Sequence, residues 1–125
     1  RIPIIGNGDV MDGPSARRLV ERTGCVGVMV GRGCMGQPWV FDRIKCELAG
    51  RAWTPLPFAE RGRILFENYK WLVDYMGEDR ATCHMRKLAA FYSKGIAGSC
   101  EFRHAANSAK TAAEFSTLVR NHFNC

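Results

Sequence analysis

No two of the six cysteines (Cys25, Cys34, Cys46, Cys83, Cys100, Cys125) lie closer than nine residues apart, so the C-x-x-C pairs that commonly hold zinc or an iron–sulfur cluster are absent. A metal centre is therefore not expected; reduced, mostly buried thiols are. Also missing is any apolar run near the roughly 18 residues of a membrane helix, and the chain opens on no basic-then-apolar leader. Neither a membrane span nor secretion is indicated, which leaves the cytoplasm as the default location. Repeats and low-complexity tracts are absent too. With 46% hydrophobic and 24% charged residues, the 125-residue chain has a folded rather than a disordered composition.

Acidic residues are the scarcer charge: 18 Lys and Arg stand against 12 Asp and Glu, a formal net charge of +6. The excess is uneven. Residues 80–104 carry Arg80, Arg86, Lys87, Lys94 and Arg103 against Glu101 alone. Such a segment suits an anionic partner, although charge by itself describes more readily a solvated helix face with salt bridges to Glu78, Asp79 or Glu101.

The opening stretch RIPIIGNGDV places Ile2, Ile4 and Ile5 in a short apolar run with no polar face, the pattern of a strand covered on both sides. Such a strand needs neighbours on both edges, so the chain reads as the tail of something larger. Asp12 then caps a helix with Pro14 in its first turn and Ala16, Leu19, Val20 and Thr23 at helical spacing, until Gly24 stops it. Val26, Val28, Met29 and Val30 form a second apparently buried strand, ending in Gly31-Arg32-Gly33. Strand, helix and strand with short links make a βαβ unit, whose strands are parallel.

Gly36-Gln37-Pro38 opens a further helix to about Leu48, with Val40, Phe41, Ile44 and Leu48 on one side. AGRAWTPLP, residues 49–57, breaks regular structure and separates an α/β part, residues 1–50, from residues 58–125. The latter read as a helical bundle. One helix runs from Phe58 to Met76 before Gly77, a second from about Asp79 to Lys94 before Gly95. A last one has the capping-box form Thr111 to Glu114, with Phe115, Leu118 and Val119 as its buried stripe.

Both strands finish in glycine, GNGD and GRG. Glycine lets a ligand approach backbone amides with no Cβ in the way, and several amides with a helix N-terminus and Arg32 make an anion site. Serving tight turns alone is the plainer role of these glycines. Two adjacent parallel strands ending alike suggest a phosphate, which (β/α)8 barrels bind on the loops after strands seven and eight. The expected fold class is therefore α/β plus all-α: the last two βα units of a TIM (β/α)8 barrel followed by a C-terminal helical bundle.

In the same order, IPIIGNGD, TGCVGVMVGRGCMGQPWVF and MRKLAAFYSKGIAG resemble the C-terminal part of bacterial-type tRNA-dihydrouridine synthases, and the likeness covers nearly the whole chain. It implies a flavin enzyme whose catalytic barrel precedes a helical tRNA-binding domain. The reaction implied is reduction of the C5–C6 bond of uridine in tRNA, with hydride from flavin mononucleotide (FMN) and electrons from NADPH or NADH. Carried over by residue, Asn7, Gly8 and Asp9 match the family's first FMN segment and Gly31 and Arg32 its second, at the phosphate and ribityl end. The likeness also tips Arg86, Lys87, Lys94 and Arg103, with Tyr92 beside them, toward the tRNA backbone. Where the family often reads M-R-K-H this chain has Met85-Arg86-Lys87-Leu88, so no role is carried to position 88.

By the same resemblance, the flavin-ring contacts and the cysteine that protonates the uracil ring belong to earlier strands. None of the six cysteines here matches that motif, no catalytic residue is assigned, and the chain alone is expected to be inactive. Cys34, inside the turn GRGCMG, is not expected to react. His84, His104 and His122 have no carboxylate or nucleophile at a spacing that argues for acid–base catalysis, and Trp39, Trp53 and Trp71 are expected to pack rather than stack on bases. Two rivals remain open: a phosphate-gripping barrel enzyme acting on a phosphorylated metabolite, and a non-catalytic RNA-binding helical module. The basic helical appendage speaks against the first.

Overall fold

A computed structural model of the chain describes residues 2–125. Asp12 starts the first helix, α1 (Gly13–Thr23), by accepting the Ser15 amide at 2.8 Å, while Ser15 Oγ accepts the Met11 and Asp12 amides at 3.0 Å each. This reciprocal cap satisfies donors that a helix start leaves orphaned, and the Ser15 hydroxyl, donating to Asp12 Oδ1 at 2.6 Å, with the Ser15 amide holds the Asp12 carboxyl below its ordinary pKa. Gly24 ends the helix at φ 67°. The strands on either side, β1 (Ile5–Asn7) and β2 (Gly27–Met29), pair in parallel with Ile5 opposite Gly27 and Asn7 opposite Met29. The crossover is the expected βαβ unit.

Helix α2 (Val40–Leu48) packs on α1, and Val10, Ala16, Val40 and Ile44 form the buried core with Leu19, Val28, Val30 and Cys34 around it. Phe41 and Leu48, expected on the same buried side, are exposed. Glu47 ties the two helices: its Oε2 accepts the Gly13 amide at 2.5 Å while its Oε1 accepts Arg43 Nε at 2.7 Å. Arg43 and that amide hold the Glu47 carboxyl below its ordinary pKa.

The expected burial of the strands is not met. Ile4 is 67% exposed, Ile5 60% and Val26 72%. Parallel strands rich in Ile and Val are ordinarily covered on both faces, and two strands with two helices supply neither the missing edges nor the second face.

The chain divides into two compact units, Arg1–Pro55 and Leu56–Cys125, and the division falls inside the Gly- and Pro-bearing stretch 49–57. The second unit holds α3 (Phe58–Met76), α4 (Glu78–Tyr92), α5 (Ser99–Ser108) and α6 (Ala112–Phe123). Gly77 alone joins α3 to α4, at φ 82°, which favours glycine. Leu65, Met85, Phe115, Val119 and Phe123 are almost wholly buried. Tyr69 lies 5.3 Å from the Phe115 ring, its hydroxyl 2.7 Å from Thr82 Oγ1. Gly62 sets how closely α3 meets α6: a Cβ there would stand 2.5 Å from Phe123 Cβ and 2.6 Å from Cys125 Sγ.

Five local expectations change. Helix α4 ends at Tyr92 rather than near Lys94, and α5 follows where no helix was foreseen. At α6, Thr111 accepts the Glu114 amide, but Glu114 reaches the Lys110 amide (2.8 Å), one residue before the cap, so the reciprocal arm is displaced. Among the cysteines only Cys25 is buried, while Cys83 and Cys100 are exposed. Trp71, expected to pack, is 70% exposed.

Two outcomes test this packing. Gly62→Ala, by forcing α3 off α6, is expected to destabilise the helical unit by about 1–3 kcal/mol in denaturant melts. His122 stacks on Phe102 (4.2 Å, 8°) with Nε2 lacking a partner among the described residues, and burial pushes its pKa below 6.5. The neutral ring is the folded form, so its stabilisation is full above pH 6.5 and is lost as pH falls below that value through the lowered pKa. His122→Phe should remove this part of the acid sensitivity, read as the shift in urea midpoint between pH 7.5 and 5.5.

Candidate functional site

Because β1 and β2 are parallel and in register at Asn7 and Met29, the loops leaving their C-terminal ends start side by side. The second loop makes a 3₁₀ turn at Arg32–Cys34. Gln37 Nε2 staples that turn by donating to the Gly33 carbonyl at 2.8 Å, and the Cys34 thiol points back at the Gly31 carbonyl, 3.1 Å away. Gly33 lies against the first loop so closely that a Cβ there would collide with the Val10 carbonyl oxygen. The two loops therefore meet backbone to backbone.

Asn7, Gly8, Asp9, Gly31 and Arg32, the five residues expected to converge, line one cavity of about 370 Å³, with Val10, Met11 and Gly33 completing its wall. Of these additions Gly33 was visible in the G-R-G motif; Val10 and Met11 contribute by position in the loop and carry no chemical signal of their own.

Two details refine the expectation. Gly8 and Gly31 are not the residues with positive φ; Asp9 is, at 41°. A Cβ on either glycine would meet nothing within 4 Å. What the glycines leave is open space over backbone amides, the access an anion needs. Arg32, in turn, is not a bare cation. Its guanidinium pairs with the Asp9 carboxylate across the cavity, the two side chains being 77% and 76% exposed. A guanidinium has five donors, so this pairing leaves others for a second anion. Open amides plus that guanidinium fit a phosphate monoester, and a carboxylate, which only accepts, suits hydroxyl groups next to it.

The basic segment is more dispersed. Lys87, Lys94 and Arg103 are exposed and Arg86 is half-buried, its Nε without a hydrogen-bond partner among the described residues. Arg86 and Lys87 are adjacent on α4 and so project about 100° apart. Lys94 lies in the turn after α4, and Arg103 folds onto its own helix, Nε donating to the Ser99 carbonyl at 2.9 Å. None of the four forms an ion pair among the described residues, so the salt bridges to Glu78, Asp79 or Glu101 that the sequence allowed are not made. Nor, among the described residues, do three or more His, Cys, Asp or Glu side chains stand where they could share a metal ion.

Comparison with known proteins adds an independent line. The family model for dihydrouridine synthase (Dus) matches residues 1–124. The chain is 38% identical over 119 residues to a probable tRNA-dihydrouridine synthase of Mycobacterium leprae, a match covering 94% of this chain and 31% of that protein. It is 37% identical over 123 residues to tRNA-dihydrouridine synthase B of Proteus vulgaris (98% and 38%), and 39% identical over 108 residues to a probable tRNA-dihydrouridine synthase of Rickettsia bellii (86% and 33%). The chain thus spans about a third of the length of the curated relatives it matches. Matched by the family model from its first residue almost to its last, the chain belongs to the dihydrouridine synthase family.

Proposed function

We propose that this chain is the phosphate-anchoring and helical portion of a cytoplasmic tRNA-dihydrouridine synthase, which reduces the C5–C6 bond of uridine in tRNA using FMN and NADPH or NADH. The observation that carries the reading is the cavity shared by two parallel strand ends, where Gly8 and Gly31, with open space beside their backbone, and the Arg32 guanidinium line the same space. Residues 5–48 would then be the last two βα units of a (β/α)8 barrel. The exposed Ile4, Ile5 and Val26 support this, since neighbouring strands and helices of a barrel are what would cover them.

In this reading Gly8, Gly31 and Arg32 hold the FMN phosphate, and Asn7 and Asp9 face the ribityl hydroxyls. Asp9 also aims Arg32 through their ion pair. When bound, the flavin supplies the hydride chemistry, and the chain's own residues fix its phosphate end so that the rest is oriented. No residue of this chain is assigned a proton transfer. The helical unit would hold tRNA through Arg86, Lys87, Lys94 and Arg103, chiefly at phosphates, because lysine and arginine position a backbone more than they read bases.

Two measurements on the full-length protein carrying this chain test the reading. Arg32→Ala, or Gly8→Val to fill the open space, should lower FMN affinity about tenfold to a hundredfold, read from visible absorbance after dialysis. Full flavin retention in both variants would sink the anchor. Arg86→Ala with Lys87→Ala should raise the Michaelis constant for tRNA and flatten the salt dependence of binding by slightly less than one log unit for each phosphate no longer neutralised, leaving flavin content unchanged. An unaltered salt slope would make that surface solvated helix and nothing more.

A further inference from the structure

A second concavity of the first unit, about 530 Å³, is lined by Gly13, Pro14, Arg17, Arg18, Glu47 and Arg51, where the start of α1 meets the end of α2. The helix start is not itself the attraction. Its Gly13 amide is taken by Glu47, its Ser15 amide by Asp12, and Pro14 has none. What is available is guanidinium. Arg17 hooks the Leu48 carbonyl (3.4 Å) at the end of α2, which fixes it in the wall. Arg51 is held by its own amide, which donates to the Cys46 carbonyl at 2.8 Å and closes the helix end after Gly50. Arg18 and Arg51 have no ion pair among the described residues. The one carboxylate lining the concavity, Glu47, already has both oxygens engaged by Arg43 and the Gly13 amide.

We infer that this arginine-walled concavity binds a backbone phosphate of RNA, an inference that rests on the tRNA reading above and adds a second contact surface, on the α/β unit. Arginine forks match phosphate oxygens two at a time, and three of them converge here. None of the lining residues is aromatic, and arginines without interleaved aromatics position a backbone more than they read bases, which favours a backbone phosphate. Position agrees. Met11 lines the flavin-phosphate cavity and Gly13 this one, so a lining residue of each lies at most about 7.6 Å from the other along the chain.

The test uses the full-length protein carrying this chain, with tRNA binding measured by anisotropy across a salt series and FMN content by absorbance. Arg18→Ala with Arg51→Ala should weaken tRNA binding about tenfold at low salt and make the log–log salt slope shallower by about one to two, with FMN content and melting temperature unchanged. Arg18→Lys with Arg51→Lys, which keeps the charge, should restore most of the slope. Unchanged tRNA affinity and slope in the alanine pair would overturn the inference while leaving the parent reading intact. So would a raised Michaelis constant for NADPH with tRNA binding unaltered, which would assign the concavity to the nucleotide. If the unsubstituted protein binds no tRNA, the parent reading falls and this one falls with it.

Discussion

The contact between Gly33 and the Val10 carbonyl, made with no side chain between them, is what the candidate site depends on. Two strand ends of a parallel pair begin adjacent, but their loops splay unless something holds them, and here the holding is done by an absence. A methyl group at residue 33 would separate the loops, move Arg32 away from Asp9 and open the wall that Gly8 and Gly31 now share. Gln37 reinforces the arrangement from the other side through the Gly33 carbonyl. The chemistry of the cavity belongs to Arg32, Asp9 and the amides. Its shape belongs to a glycine that touches no ligand in the proposal.

Much of this was legible in the sequence where the signal is local. Asp12, Pro14 and Gly24 bracket α1 within about a dozen residues, and Gly77 marks the end of α3 because few other residues adopt its backbone conformation readily. The strand-end motifs GNGD and GRG contain all five of the cavity residues expected to converge. Helix α5 escaped because Gly98 offers no side-chain cap and its buried positions are Ser99, Phe102 and Ala106, with one large apolar group among them. The pairing of Arg32 with Asp9, 23 residues away, and the choice of Glu114 between two neighbouring amides depend on geometry that spacing does not fix.

The exposure of the strands is more instructive: an opening strand without neighbours was expected to leave an apolar face uncovered, whereas Val26 was expected to be buried and is not. The apolar pattern of Ile4, Ile5 and Val26 describes the environment for which those residues are suited, and the chain by itself does not provide that environment. Beside relatives roughly three times as long, the exposed sheet is a property of a part and the sequence pattern a property of a whole. The helical unit shows no such mismatch in its core, where Phe115, Phe123 and Leu65 find partners within the unit.

The Asp9–Arg32 pair has a consequence for how the cavity fills. Both partners are largely in water, so their attraction is worth less than about 1 kcal/mol and is readily traded. In the proposed reading an arriving anion would share the guanidinium with Asp9 through its remaining donors, so part of the positive charge it meets is already neutralised. Anion uptake proposed for this cavity would therefore be blunted in its response to ionic strength, whereas Arg18 and Arg51, which form no ion pair among the described residues, would keep more of that response. One small α/β unit thus carries two arginine-bearing concavities that salt would set apart.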